Sequence, residues 1–303
     1  MKIILVGQGP FGEKVLDTLF RQGEHIVGVF CPQDKMGAGM AKTAEGSGVP
    51  LFRPRKMKDA EVSKTFVELS PDLVILAFVT DIITEALLNI PSIGTICYHP
   101  SLLPKHRGSS AINWAVIQGD TRTGLTILWA DKGIDTGPIL LQKEIEIAPD
   151  DTTGTLYFNK LFDMGIDAIV EAVKLIKSGT ASKLPQDDSL ATYEPTCDET
   201  FAKIEWSKPA REVYNLIRGC DPQPGAYSTL KDQKVKFYDA LLSEFTSETS
   251  PGQVINIGAE EVVVALNGGA LKIGKMKGAK GTKLFAADYA KEIYLKAGMR
   301  FGS

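Results

Sequence analysis

An alternation of apolar strand patterns with helical patterns constrains the fold of this chain more than any other feature. Apolar runs rich in β-branched residues occupy positions 2–6, 25–31, 72–78 and 93–98, and helical spacing of apolar residues is clear over 11–22. Such alternation is typical of a parallel sheet with helices on both faces. We therefore predict an α/β fold built on a Rossmann-like, mainly parallel sheet.

The later patterns extend this sheet and then change in character. Residues 124–130 and 139–147 look like further strands, and 152–178 carries the apolar stripe of one long helix. Asp150 or Asp151 is a candidate cap for the start of that helix.

Residues 182–200 are polar and irregular, which is typical of a linker. Short strand patterns separated by Gly and Asn follow, and they predict a small OB-like β-barrel. We expect one domain over 1–200 and a C-terminal OB-like β domain over 201–303.

Composition and cysteine usage exclude several classes of protein. The chain has 303 residues, of which 44% are hydrophobic and 23% charged, as in ordinary globular proteins. No apolar run approaches the ~20 residues that a membrane span needs, and the N-terminus lacks the pattern of a secretory signal. The four cysteines form no Cys-x-x-Cys pair, so free thiols are expected rather than disulfides or a zinc site. These features predict a cytoplasmic protein with no membrane partner.

The distribution of charge bears on partners. A net charge of −3 argues against broad nucleic-acid binding. Residues 203–303 are mildly basic, with 15 Lys and Arg against 11 Asp and Glu. A normally solvated surface is the favoured interpretation, and tRNA is retained as a partner without being favoured.

The segment 99–108 concentrates the residues that could carry chemistry. It contains two of the three histidines, His99 and His106, and an apolar run feeds directly into His99. This predicts an imidazole at the C-terminal end of a buried strand, the edge at which open α/β sheets bind ligands. Asp135, delivered by a later loop, would complete an acid–base pair.

These residues resemble the signature of the folate-dependent formyltransferases, which use 10-formyltetrahydrofolate. That signature runs Asn-x-His-x-Ser-Leu-Leu-Pro, then Arg-Gly, then Asp-x-Gly-x-Asp-Thr-Gly, and residues 99–108 and 131–137 follow it. The spelling around His99 and over 110–114 is most similar to the N-terminal hydrolase domain of 10-formyltetrahydrofolate dehydrogenases. The resemblance covers almost the whole chain, and it implies that the domain over 1–200 is catalytic and binds folate. It departs at Cys97, which replaces the signature Asn; that hydrolase domain also lacks the Asn.

The resemblance implies roles for three candidate catalytic residues. His99 would donate a hydrogen bond to the formyl oxygen as it becomes an oxyanion. Asp135 would hold or deprotonate the attacking group and set the protonation of His99. Cys97 has three interpretations: a small buried apolar residue, a weak substitute for the missing amide, or a nucleophile, which is the least favoured because nothing marks a depressed thiol pKa.

The resemblance also implies a pteridine pocket of apolar walls with backbone donors and acceptors. Asp131 is expected to be mainly structural. Arg107 is expected to fix the shape of its own loop rather than to contact the ligand. The candidate substrate-binding residues are Phe78, Val79, Thr80, Ile82, Ser101, Leu102, Leu103, Pro104, Arg107, Gly108, Asp131 and Ile134.

A glycine-rich turn, Gly7-Gln8-Gly9-Pro10-Phe11-Gly12, matches the dinucleotide fingerprint Gly-x-Gly-x-x-Gly in the right context. The acid expected at the end of the second strand is missing, because Asp34 comes late, and Pro10 lacks the amide that could meet a phosphate. We predict tight packing at this turn and no NAD. No metal cluster is visible in the sequence.

The predicted function is cleavage of the formyl group of 10-formyltetrahydrofolate, by hydrolysis to formate and tetrahydrofolate or by transfer. The acceptor stays open between water, an amine and a carrier thiol. Alternatives are a formyltransferase acting on methionyl-tRNA or an amino sugar, a non-catalytic folate-binding module, and a nucleotide-dependent oxidoreductase.

Overall fold

The computed structural model describes residues 1–243 and 249–302, and the chain divides into two compact units. Unit 1 comprises Met1–Ser109, Gly124–Ile145 and Phe158–Glu194. Unit 2 comprises Ser110–Thr123, Glu146–Tyr157 and Pro195–Ser303.

The sheet of unit 1 has the strand order β3-β2-β1-β4-β5-β6-β7. Strands β1 to β5 pair in parallel, and β6 runs antiparallel to β5. The strands are β1 (Lys2–Gly7), β2 (His25–Phe30), β3 (Leu51–Phe52), β4 (Leu73–Ala77), β5 (Gly94–His99), β6 (Arg122–Trp129) and β7 (Ile139–Glu146). The mainly parallel α/β sheet predicted from the alternation is confirmed.

Successive residues of these buried strands point to opposite faces of the sheet, and each face has its own core. One core joins strand residues such as Leu5 and Ile75 to apolar residues of α1, α2 and α7. The other joins Val6 and Leu76 to residues of α3 and α4. The helices concerned are α1 (Gly9–Arg21), α2 (Ala38–Gly46), α3 (Ala60–Leu69), α4 (Glu85–Leu88) and α7 (Phe162–Lys177).

The predicted long helix over 152–178 is interrupted. It consists of α6 (Thr153–Leu156), a π-helical turn (Tyr157–Leu161) and then α7. The prediction of an Asp cap is wrong, because the Thr152 side chain caps α6 in a capping box with Thr155. Asp151 instead accepts a hydrogen bond from the Ala148 amide.

Unit 2 contains an antiparallel sheet with the strand order β10-β11-β12-β9-β8, and β13 pairs with β12. Its core includes aromatic packing of Trp206 and Phe301 with Phe237. The elements of this unit are α5 (Ala111–Ile117), α8 (Ala210–Gly219), β8 (Tyr227–Leu230), β9 (Gln233–Ser243), β10 (Val254–Ile257), β11 (Val262–Leu266), β12 (Gly269–Gly278), β13 (Leu284–Phe285) and α9 (Ala286–Glu292). The predicted second, β-rich domain is thus present as an antiparallel sheet.

Candidate active site

His99 is the last residue of β5, and the strand itself fixes its position. β5 lies between β4 and β6, so its backbone is held on both sides. Ile96 and Tyr98 point into the core that contains α1 and α7. Cys97 and His99 therefore point to the opposite face of the sheet. His99 is only 4% exposed, so a buried imidazole stands at the carboxyl edge of the sheet.

The structure brings Asp135 to this imidazole. Asp135 Oδ2 lies 3.4 Å from His99 Nδ1, and the same oxygen accepts a 2.9 Å hydrogen bond from the Gly108 amide. His99 Nε2 lies 2.8 Å from the carbonyl oxygen of His106. Because a carbonyl oxygen cannot donate, Nε2 carries a proton in this hydrogen bond. The Asp135 carboxyl group and His99 Nδ1 are thus placed to share one proton.

Both ring nitrogens of His99 therefore face protein atoms. The predicted donation from His99 to a formyl oxygen requires the ring to exchange one of these two contacts for substrate. The Asp135 carboxyl group beside His99 Nδ1 forms the acid–base arrangement expected from the sequence, and a catalytic role for either residue stays a prediction.

The loop that follows His99 is supported by side chains of β6 and β7. Thr126 Oγ1 donates to the Ser101 carbonyl and accepts from the Leu103 amide, while Gln142 Nε2 donates to the Leu103 carbonyl. Ser101 and Leu103 are buried, so both shape the loop. Contact of Ser101, Leu102, Leu103, Pro104 and Gly108 with substrate stays a prediction.

The loop that carries Asp135 is a compact turn. Asp131 Oδ1 accepts hydrogen bonds from the Gly133 amide (2.9 Å) and Thr136 Oγ1 (2.6 Å), a structural use of this carboxylate. A Cβ added at Gly137 would lie 1.7 Å from the Trp129 carbonyl oxygen, so only glycine fits there. Ile134, at 69% exposure, presents an apolar side chain at the outside of this turn.

Arg107 is buried, and its guanidinium is committed to protein acceptors. It donates to Gln186 Oε1 at 2.7 and 3.2 Å, to Asp188 Oδ1 at 2.7 Å and to the Tyr193 hydroxyl at 2.6 Å. Burial by itself would lower the pKa of Arg107, but its hydrogen bonds to Asp188 and Tyr193 hold that pKa above its usual value. This geometry supports the interpretation that Arg107 fixes its loop, and direct contact with substrate stays untested.

Residues of the predicted linker over 182–200 hold the His99 loop. The Thr192 hydroxyl accepts a 2.8 Å hydrogen bond from the His106 amide, and Glu194 Oε1 lies 3.2 Å from His106 Nδ1. His106 has a positive φ of 57°, which directs its carbonyl oxygen to His99. Sequence reasoning did not find Gln186, Thr192, Tyr193 or Glu194. The only signal was the polar composition of the segment.

Cys97 packs at the edge of an apolar core whose members include Val6 and Leu76. Burial raises the pKa of the Cys97 thiol far above its usual value, and the charge of Asp135 raises it further. A protonated thiol is a poor nucleophile. The geometry thus favours the interpretation of Cys97 as a small apolar residue.

The segment after β4 lies beside a separate cavity. Val79 and Thr80 line a cavity of about 400 Å³, together with Gly7, Gln8, Arg55 and Lys56. Neither His99 nor Asp135 is among its lining residues. Phe78 and Ile82 are exposed, at 41% and 78%, and Phe78 has a positive φ of 61°. A role of these four residues in binding substrate stays a prediction.

The glycine-rich turn is closely packed. A Cβ at Gly7 would lie 2.5 Å from the Ala77 carbonyl oxygen, and one at Gly12 would lie 3.2 Å from Met40 Sδ. The Gly9 amide donates to the Met36 carbonyl at 2.7 Å. These contacts support the packing interpretation of the motif.

Two kinds of feature are absent from the described ranges, 1–243 and 249–302. No group of three or more His, Cys, Asp or Glu side chains there could hold a metal ion. No helix in the same ranges combines the length and apolar character that crossing a membrane requires.

Family models match both parts of the chain. The Formyl transferase model matches residues 1–173, and the Formyl transferase C-terminal domain model matches residues 197–293. The chain belongs to the formyl transferase family. Its members are enzymes, and this chain is one of them.

Relatives of two kinds are similar to this member of the family. It is 41% identical to mouse (Mus musculus) mitochondrial 10-formyltetrahydrofolate dehydrogenase, over 90% of this chain and 30% of the relative. It is 42% identical to the human (Homo sapiens) cytosolic dehydrogenase, over 90% and 31%. The chain thus spans about a third of the length of these relatives. It is also 35% identical to methionyl-tRNA formyltransferase from Acetivibrio thermocellus, over 95% of this chain and 96% of the relative.

Solved structures share the fold. HypX from Aquifex aeolicus, in complex with tetrahydrofolic acid, aligns with a TM-score of 0.71 at 21% identity, covering 97% of this chain and 48% of that chain. WlaRD, a sugar 3N-formyl transferase, was solved in the presence of dTDP and 5-N-formyl-THF. It aligns with a TM-score of 0.69 at 18% identity, covering 93% and 99%.

Proposed function

We propose that this enzyme cleaves the formyl group of 10-formyltetrahydrofolate, with water as the acceptor. The observation that supports this most is the His99–Asp135 pair at the carboxyl edge of the sheet, in a chain of the formyl transferase family. The name of the dehydrogenase relatives contains this formyl donor, and the similar HypX structure was solved with tetrahydrofolic acid.

The proposed reaction uses the pair to move one proton. Water attacks the formyl carbon and gives up a proton to Asp135, which passes it to His99 Nδ1, so that a carboxylate–imidazolium pair holds the proton. The carbon–N10 bond then breaks as the pair transfers this proton to N10, which releases tetrahydrofolate and formic acid, and the acid loses its own proton to solvent as formate. The buried His106 carbonyl keeps the proton on His99 Nε2, which directs the exchange with Asp135 to Nδ1.

Transfer to an amine is the second candidate. It is favoured by the methionyl-tRNA formyltransferase that matches along 96% of its own length. It is weakened by Cys97, because the transferase signature has an amide-bearing Asn at that position. A thiol whose pKa is raised is a poor replacement for an amide as hydrogen-bond partner.

The experiment that tests the proposal is incubation of the purified chain with 10-formyltetrahydrofolate alone, and with methionyl-tRNA or an amino sugar nucleotide added. We expect tetrahydrofolate and formate in equal amounts without any acceptor. Tetrahydrofolate formed only when an amine is added would replace hydrolysis with transfer. Folate binding without any turnover would instead indicate a non-catalytic folate-binding module.

A further inference from the structure

The loop of Asp135 has a support that lies some 50 residues further along the chain. Gln186 Nε2 donates hydrogen bonds to two carbonyl oxygens of this loop, that of Asp135 at 2.8 Å and that of Gly137 at 2.7 Å. One amide group thus holds the backbone on both sides of Thr136.

The other end of the same amide is held as firmly. Gln186 Oε1 accepts two hydrogen bonds from Arg107, whose side chain is 2% exposed. Hydrogen bonds from a charged donor are among the strong ones in proteins. Arg107 therefore fixes which end of the Gln186 amide faces the Asp135 loop, because its N–H groups require the oxygen.

This orientation links the two loops of the pair. Arg107 directly precedes Gly108, whose amide holds the Asp135 carboxylate. Asp135 has a positive φ of 56°, a backbone shape that needs its surroundings to hold it. Its carbonyl oxygen is held by Gln186 and its carboxylate by Gly108, so side chain and backbone are fixed from two directions.

We propose that Gln186 is a positioning residue for this enzyme. Anchored by Arg107, Gln186 holds the Asp135 and Gly137 carbonyls and thereby orients the Asp135 carboxylate toward His99. The inference rests on the proposed role of Asp135 in formyl cleavage. Gln186 reaches the chemistry only through Asp135, so its loss should lower kcat and leave folate affinity unchanged.

Two substitutions distinguish the contributions of the two ends of the Gln186 amide. Gln186→Glu keeps an oxygen acceptor for Arg107 but turns a second oxygen toward the two carbonyls, which repel it. Gln186→Met keeps the length of the side chain and removes both ends. A matched control is Gln253, which is equally half-buried and donates through Nε2 to the Gly298 carbonyl in unit 2.

We expect Gln186→Glu and Gln186→Met each to lower kcat by about 10- to 100-fold, since small misplacements of a catalytic group have effects of this size. The Kd for tetrahydrofolate should stay within about threefold because it reports binding, and KM should follow it where chemistry is slower than substrate release. Gln253→Glu and Gln253→Met should keep normal kcat. Near-normal kcat in Gln186→Glu, with a loss only in Gln186→Met, would overturn the proposal and leave Gln186 as a partner of Arg107 alone.

Hydrogen–deuterium exchange gives a readout that does not depend on turnover. The amides of residues 131–137 should exchange faster in Gln186→Glu than in the unchanged protein, and Gln253→Glu should not alter them. If the exchange over 131–137 is the same in Gln186→Glu as in the protein without substitution, the positioning role is overturned, even where that protein cleaves no formyl group. Absence of cleavage by the unchanged protein, with faster exchange in Gln186→Glu, would overturn the proposed function and leave the positioning role standing. Melting curves confirm that each variant is folded, and Gln186→Glu carries the test if Gln186→Met does not fold.

Discussion

Two loops leave the carboxyl edge of the same sheet, and they are held by different means. The loop after β1 is closed by its own backbone and by packing, with Gly7 against the Ala77 carbonyl and the Gly9 amide on the Met36 carbonyl. The loop after β5 is held by polar side chains from β6, β7 and the segment 186–194. The glycine motif is the more familiar pattern, yet it is the second loop that begins at His99, the residue that meets Asp135 of the β6–β7 loop in the proposed acid–base pair.

The difference shows that a glycine-rich motif after a strand does not by itself establish a nucleotide site. Glycines after a strand satisfy a steric requirement for close approach, which a nucleotide site and a plain turn share. A convergence of polar side chains on a buried imidazole has a high cost in desolvation unless every group is paired. The paired polar groups around His99 are therefore stronger evidence for a functional site than the glycine motif at β1 is for a nucleotide site.

The largest expected effect is a loss of turnover, and it follows from substitution of His99 or Asp135. His99→Ala and Asp135→Ala should each lower turnover by about 10²–10⁴-fold, and the double variant should be little worse, because both residues serve one intermediate. Tetrahydrofolate binding should largely survive. Single-turnover kinetics with a fluorescence titration of folate would measure both. Near-normal turnover in either single variant would contradict the assignment of the pair.

Most strands of the α/β sheet could be predicted because local pattern is sufficient for them, although the two-residue β3 was missed. The pairing of Asp135 with His99 was predicted mainly from the family resemblance. A buried β-branched run identifies β5 from its own six residues, and its last position places His99 at the edge of the sheet. Gln186 and Glu194 could not be predicted in this way. They lie 79 and 88 residues from their partners Arg107 and His106, in a segment with no periodicity. The π-helical turn was missed for a similar reason, since the apolar spacing over 152–178 continues through it.

The next expected effect is on stability, at the β1 loop. Gly7→Ala should lower the free energy of unfolding by about 1–3 kcal/mol, because the new methyl group overlaps the Ala77 carbonyl and the backbone must shift. Gly46→Ala is the control, since a Cβ there meets nothing within 4 Å. Denaturant unfolding would measure both variants. Equal stability of the two would show that the β1 loop adapts easily and is not closely packed.

A smaller effect is expected at Cys97. Cys97→Asn should lower the free energy of unfolding by about 1–2 kcal/mol, because a polar amide would enter the apolar core on that face without an assured partner. It should not raise formyl transfer to an added amine. Cys97→Ala should keep turnover within about threefold, since a protonated thiol contributes little as a hydrogen-bond partner.

Turnover and melting temperature measured on the same samples distinguish the alternatives at Cys97. A rise in transfer to an amine in Cys97→Asn would show that the position belongs to the oxyanion site. Loss of all activity in Cys97→Ala, with a formyl thioester trapped in the unchanged protein, would establish the thiol as a nucleophile despite its raised pKa.

The last prediction is that no effect is seen: titration of the protein with NAD or NADP should show no binding at the β1 loop. The adjacent cavity of about 400 Å³ makes this a real test, because it could receive part of a nucleotide. Arg55 and Lys56 line this cavity and could meet a phosphate, but the glycine turn beside it does not offer the contacts of a dinucleotide site. Pro10 has no amide, the Gly9 amide is taken by Met36, and the Asp34 carboxylate, which would have to hold a ribose, accepts from the Met36 amide. We expect no saturable heat of binding at about millimolar nucleotide, where a site of even modest affinity gives a signal. A micromolar Kd would show that the turn opens to admit the pyrophosphate, and the two loops would then share the edge of the sheet as two ligand sites.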